Sequence, residues 1–255
     1  MPASYAHYRF GKLLLPELPA DVRQCITRFR RMYDMGLHGP DIFFYHNPFL
    51  DTAAGKLAKQ FHSQSGQVFF PGACAAADTE AGRAYLYGLL AHYCLDAACH
   101  PFITRAVQNG EAGHVALEAE FDRYLMALDG IAEPHRQDIT RHMKLTRGEC
   151  MTAARFYPPA TGANVHQSVG FMAFALRFLA GGSRKKREAL LKKLKPGLCD
   201  FFIPEEPVAA YARMDSELLA RFNRAYGQYP QLLRQLEACR KTGEPLGEEF
   251  LPTFG

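Results

Sequence analysis

Apolar residues recur at intervals of three and four along most of the chain. Between Asp21 and Met35, the residues Val22, Cys25, Ile26, Phe29, Met32 and Tyr33 form one stripe and Gly36 follows as a stop, so the spacing predicts an amphipathic helix. Residues 51–63 read the same way. The stretch Thr79 to Asn109 is apolar on several sides, the mark of a helix buried within a domain, with Asp78 as its expected cap and a break expected near Pro101. Further helices are predicted over 112–128, closed by Asp129 and Gly130, and over 134–142, 147–156, 165–180, 183–194 and 214–241. Strand-like alternation is scarce. Ile42 to Tyr45 and Phe69-Phe70 are short aromatic runs among Gly and Pro, read here as loop anchors. The expected fold is all-α, in a single multi-helix domain over residues 1–255.

Composition narrows the class without changing the fold. With 48% hydrophobic and 22% charged residues, the chain of 255 is globular rather than disordered, collagenous or disulfide-knotted. Its 30 basic and 26 acidic residues leave a charge of only +4, which does not call for a specific nucleic-acid partner. No window approaches the roughly 20 unbroken apolar residues of a membrane span. Met1 to Arg9 lacks the pattern of a secretory leader, so a cytoplasmic location is expected. Seven scattered cysteines without a Cys-x-x-Cys pair read as reduced thiols.

The histidines carry the candidate chemistry. His7, His38, His46, His62, His92, His100 and His114 lie in the first half, interleaved with Asp41, Asp96 and Glu118. His92, Asp96 and His100 stand at i, i+4 and i+8; four residues rotate a helix by only about 40°, so the three share a face. His114 and Glu118 repeat the i, i+4 device, with Asp122 one step on. A lone His on an apolar helix is more often a satisfied core residue than a ligand. Burying several such groups beside carboxylates costs several kcal/mol unless something compensates, and metal coordination is one of few compensations. Imidazole and carboxylate without thiolate suit Zn, Mn or Fe. Asp122, beside Arg123, reads equally as a ligand, as support for a ligand or as half of a surface ion pair. Ferritin-like di-iron sites need two Glu-x-x-His motifs, and only Glu111 to His114 is present. Neither a His-Asp dipeptide nor His-Glu-x-x-His occurs.

The run His92, Asp96, His100, then His114 and Glu118, closely resembles the ligand run of the zinc-dependent phospholipase C family, whose fold is shared by fungal single-strand nucleases. His7, Asp41 in its Gly-Leu-His-Gly-Pro-Asp loop, and His62 follow the order that family uses. The resemblance spans roughly His7 to Asp122. It implies a metal-site half over 1–130 and a helical packing half over 131–255. It further implies one zinc held by Asp41, His62, His92 and Asp96, a second by His100, His114 and Glu118, and a third by His7 with a bridging Asp96. Secreted relatives complete that third site with an N-terminal tryptophan, but this chain has no Trp, and Pro2 would offer only a secondary amine. Two or three zinc ions are therefore expected.

The activity implied is hydrolysis of a phospholipid or related small phosphodiester, with Asp41 serving both as ligand and as the carboxylate that orients or deprotonates the attacking water. The alternatives are a non-catalytic, metal-stabilised module binding lipid headgroups or a protein partner, and, within the class, a single-strand nuclease. Phe44, Tyr45, Phe69 and Phe70 read as core plugs, as an apolar mouth for lipid, or as a platform for a base. The basic run Ser183 to Lys195 reads as a solvated helix face that can also touch an anionic membrane.

Overall fold

Every regular element is helical in the computed structural model, which describes residues 4–47, 50 and 52–255. Among these residues there is no strand, only an isolated bridge between Ser65 and Thr253. In chain order the helices are α1 (Ser4–Leu14), α2 (Ala20–Arg28), α3 (Arg30–Gly36), α4 (Ala53–His62), α5 (Gly66–Ala76), α6 (Glu80–Gln108), α7 (His114–Leu128), α8 (Arg147–Ala154), α9 (Gly162–Ala180), α10 (Arg184–Leu194) and α11 (Ala212–Thr242). A long 3-10 helix, Gly39–Tyr45, links α3 to α4. Among the described residues no helix is long and apolar enough to cross a membrane, and all seven cysteines are free thiols.

Local signals set many of the boundaries. Thr52 and Thr79 accept the backbone N–H groups of Gly55 and Gly82, starting α4 and α6. Reciprocal capping boxes, Thr146 with Glu149 and Thr161 with Asn164, open α8 and α9. The expected cap Asp78 instead forms an exposed ion pair with Arg155 at 2.7 Å.

Several expectations are corrected. The stripe over 21–35 is two helices, because Phe29 leaves helical geometry (φ −119°, ψ 45°) between α2 and α3. The central helix α6 runs through Pro101 unbroken. Proline there removes one N–H and crowds a carbonyl, a cost of about 3 kcal/mol, but buried residues on both sides, Cys99, His100, Ile103 and Ala106, hold the register. Only Pro134–Arg136 is helical within 134–142. Phe69 and Phe70 lie within α5 and Ile42 to Tyr45 within the 3-10 helix, so neither aromatic run is a loop. Asp51, the first residue of one predicted helix, lies outside the described residues.

α6 is the axis of the molecule. α3 packs on one side so closely that a Cβ at Gly88 would stand 2.2 Å from the carbonyl oxygen of Tyr33, and α11 packs on another. The phenols buried along these seams are satisfied: Tyr229 donates to Tyr87 O at 3.0 Å, Tyr33 to Gly11 O at 2.9 Å, and Tyr85 to the Tyr157 hydroxyl at 3.0 Å. One continuous core extends from Ala6 to Phe254, shared by residues before and after 130. Residues 250–255 return to α5 and α6. Gly66 N–H and the Tyr93 hydroxyl both donate to Pro252 O, and Phe250 and Phe254 are fully buried.

Candidate metal centre

Five separate elements deliver side chains to one buried place. His92, Asp96 and His100 lie on one face of α6, and α7 presents His114 and Glu118 from its first two turns. α4 contributes its last residue, His62, the 3-10 helix contributes Asp41, and α1 contributes His7. Of these eight, only His114 is appreciably exposed, at 38% of its side chain.

Two carbonyls fix the imidazoles that matter most. A carbonyl oxygen can only accept, so His62 Nδ1–H must donate to Ala58 O (2.6 Å) and His92 Nδ1–H to Leu37 O (3.1 Å). Each ring therefore turns an Nε2 lone pair inward, the arrangement by which backbone oxygens orient metal-binding histidines. The inward atoms converge. His62 Nε2 lies 2.9 Å from Asp41 Oδ1, His92 Nε2 3.0 Å from Asp96 Oδ2, and His7 Nε2 3.1 Å from Asp96 Oδ1. Elsewhere in the site, Glu118 Oε1 is 3.5 Å from His100 Nε2 and 3.4 Å from His114 Nε2. His100 Nε2 is also 3.5 Å from Asp96 Oδ1, so Asp96 joins the groups to one another.

The donors fall into three groups able to hold a metal ion: His62, His92 and Asp96; His100, His114 and Glu118; and His7, Asp41 and His92, with the ligand atoms of each group within 4.8 Å of one another. Two donors on a tetrahedral ion at about 2.1 Å stand roughly 3.4 Å apart, and the observed 2.9 to 3.8 Å separations bracket that value. Asp41 Oδ1, His62 Nε2, His92 Nε2 and Asp96 Oδ2 are buried and make no well-directed hydrogen bond. Buried polar atoms without partners are rare, and here four of them point at one another. A cavity of about 20 Å3 among His7, Asp96, His100 and Glu118 has room for one small ion or water. The residues fit a cation.

The electrostatics agree. Burial alone would raise the carboxyls, but the imidazoles His92, His100 and His7 hold Asp96 far below the usual carboxylate range. Positive charge around Asp41, that of His62 and His92 included, likewise overcomes burial and holds it at about 2. Glu118 is also well depressed, with His100 and His114 against it. All three acids are ionised at neutral pH, the state that binds metal.

Each of the eight residues expected to ligate lies in this cluster. Asp122 plays a different part. Buried at the start of α1, its carboxylate accepts Tyr5 N–H at 3.0 Å and Ala6 N–H at 2.8 Å, which fixes the helix that carries His7. It does not pair with Arg123, which forks onto Glu120. Pro2 lies outside the described residues. Two features have no signal in the sequence pattern. His38 Nε2 meets His142 Nε2 at 2.7 Å, with Tyr8 stacked on His142. Phe254 packs its ring 6.1 Å from that of His92 and 6.2 Å from that of His62, and Gly255 N–H donates to His62 O. Only contacts between residues far apart in sequence define either feature.

Compared with known proteins, the chain matches no family model, no curated protein and no solved structure.

Proposed function

We propose that this protein is a zinc-dependent phosphodiester hydrolase of phospholipase C type, acting on a phospholipid or a related small phosphodiester. The observation that carries the proposal is the convergence of imidazole nitrogens and carboxylate oxygens from five elements on one place, where Asp41 Oδ1, His62 Nε2, His92 Nε2 and Asp96 Oδ2 are buried without a well-directed hydrogen bond. His62, His92 and Asp96 would hold one ion, with Asp41 beside it at 2.9 Å from His62, and His100, His114 and Glu118 a second. His7, at 3.1 Å from Asp96, would join a third. When bound, zinc supplies Lewis acidity for the phosphoryl oxygens and makes water acidic enough to attack at neutral pH.

The protein's own groups position the reaction. Ala58 and Leu37 carbonyls keep two imidazoles in the tautomer that exposes Nε2. Positive charge around the buried Asp41 outweighs burial and keeps it ionised at neutral pH. Its part is to accept a hydrogen bond from the attacking water and orient it. His114, the most exposed of the eight, marks the side from which a phosphodiester enters.

Elemental analysis of protein purified without chelator, paired with turnover of bis(4-nitrophenyl) phosphate, tests the reading. Two or three zinc per chain with chelator-sensitive hydrolysis is the expected result. Asp41→Asn should lower turnover by about 10²-fold or more while the fold and the His100, His114, Glu118 metal persist. One tightly held metal and no turnover on any phosphodiester would instead identify a metal-stabilised binding module.

A further inference from the structure

A cleft of about 570 Å3 opens between α9, α10 and the 3-10 turn Pro196–Phe201, a size within the roughly 300–1,000 Å3 of small-molecule sites. Its walls are almost wholly hydrocarbon. Phe171, Phe174 and Phe178 supply three rings from α9, and Leu190, Leu191 and Leu194 face them from α10. Among the described residues the sole charged one in the lining is Lys195. Phe174, Leu190 and Leu194 are 64%, 48% and 59% exposed, so much of this apolar surface meets water. A concave apolar surface of this kind marks a binding site.

The two ends of the cleft differ. Its inner end touches the metal centre: Tyr45 and Phe44 belong to the 3-10 helix that carries Asp41, the Phe44 ring lies 5.3 Å from that of His62, and Val115 follows His114. The outer rim is α10, with six basic residues against one acidic. Arg184 is tied to Glu188 and Ile203 O, and Arg187 to the carbonyls of Phe178 and Leu179. Lys185, Lys186, Lys192 and Lys193 are exposed on the same helix.

We propose that this cleft holds the acyl chain of a lipid phosphoester whose phosphate group lies at the metal centre, an inference that rests on the hydrolase reading above. The cleft offers few polar groups, chiefly the Tyr45 hydroxyl and Lys195, to satisfy the backbone of an extended peptide, whereas an alkyl chain asks only for apolar walls. The cationic rim complements the anionic surface from which such a lipid would be drawn.

A series of 4-nitrophenyl alkyl phosphates from methyl to octyl, used below their aggregation limits, tests the proposal alongside the fluorescence of bound cis-parinaric acid. In the wild-type protein KM should fall with chain length, by up to about 4-fold per methylene. Ala175→Trp, which fills the cleft, and Phe174→Asp, which charges its exposed wall, should raise KM for the octyl ester at least 10-fold and weaken cis-parinaric acid binding equally. Both should leave zinc content and turnover of the methyl ester unchanged. Hydrolysis with a KM indifferent to chain length would overturn the acyl site and leave the hydrolase reading standing. Binding of cis-parinaric acid without hydrolysis of any ester would overturn the hydrolase reading, and the substrate role of the cleft with it. A cleft that ignores cis-parinaric acid is not an acyl site, which would overturn the proposal.

Discussion

At Gly39 the backbone has φ +48°, and a Cβ there would stand 2.4 Å from Cδ2 of His92. The conformation and the close approach both require glycine, and together they set Asp41, two residues on, against the imidazoles. Gly39→Ala should cost about 1–3 kcal/mol and reduce bound metal, read as a lower melting temperature and a lower zinc ratio in the same preparation. Protonation gives a second prediction. Burial lowers His92 and His100, but Asp96 with Asp41, and Asp96 with Glu118, outweigh it, so both imidazoles sit above their ordinary 6.5 in the folded chain. A raised folded value gives stability that is fully present below the unfolded value and is lost as pH rises through the folded one. His7, His38, His46 and His142 are shifted the other way, His142 to about 4, and gain only a little more above 6.5 as the unfolded chain sheds its last imidazole protons. The Asp122 carboxyl, pushed up by burial to about 8, weakens the fold with rising pH in the same direction as His92 and His100. The chelated protein should therefore be less stable at pH 8 than at pH 6.5. Metal binding needs neutral imidazole, so the gain in melting temperature on adding zinc should widen over the same interval. Scanning calorimetry with chelator and with zinc checks both signs. Part of the site is legible in the sequence alone. His92, Asp96, His100, His114 and Glu118 announce themselves by helical spacing alone. Asp41, His62 and His7 do not, because only the path of the chain between them makes them neighbours; their order, which resembles that of the zinc-dependent phospholipases C, is the only clue. The role of Asp122 is closed to the sequence, since it serves a helix end 116 residues away.

Elements are legible where the period of 3.6 runs uninterrupted. α7, α9 and α11 lie close to their predicted spans, and Thr161 and Gly243 punctuate two of those ends. α5 is hidden because Pro71 and Gly72 imitate a loop. Pro71 is exposed, and Phe69, Phe70, Ala73 and Cys74 bury the opposite face, so packing overrides local preference. α1 is short enough to hide its period, although Ala6, Phe10 and Leu14 at intervals of four are all buried. The basic run of α10 shows only its charge along the sequence. Its apolar face and the Phe171, Phe174, Phe178 row of α9 become one surface only when the two helices pack. The junction of α3 and α6 governs the site from a distance. A Cβ at Gly36 would stand 2.3 Å from Tyr85 O, and the same contact recurs from the Gly88 side. Backbone cannot yield as a side-chain tip can, so Gly88→Ala must push the helices apart. It should cost about 1–3 kcal/mol. Because α3 leads directly into the 3-10 helix of Gly39 and Asp41, it should also weaken zinc binding without touching a ligand, whereas Gly227→Ala on α11, with nothing within 4 Å of a Cβ, should do neither. Denaturant melts and a competitive zinc titration separate the two variants.

At the scale of the molecule, the candidate metal centre is where distant parts of the chain are made to meet. α1 brings His7 from one side, anchored by Asp122, and residues 250–255 arrive from the other. Phe254 is fully buried, with its ring 4.9 Å from that of Tyr93, 5.1 Å from Phe69 and within 6.2 Å of both His62 and His92. It contributes no donor atom. It supplies the dry wall behind two imidazoles, where a lower dielectric strengthens every ion–ligand interaction, and Gly255 N–H holds the backbone of His62 at the same seam. The segment over 131–255 therefore does more than pack beneath the site; it closes it. Phe254→Ala should cost about 3–5 kcal/mol in the zinc-loaded protein, as for other large core truncations. If the wall acts only through packing, chelated and loaded protein will lose the same stability and zinc affinity will be unchanged. If it shapes the site, the loaded protein will lose more, and zinc affinity will fall by the difference. Measuring unfolding of wild type and Phe254→Ala with and without zinc completes that cycle, and the second outcome is the one expected from a ring packed directly behind His62 and His92.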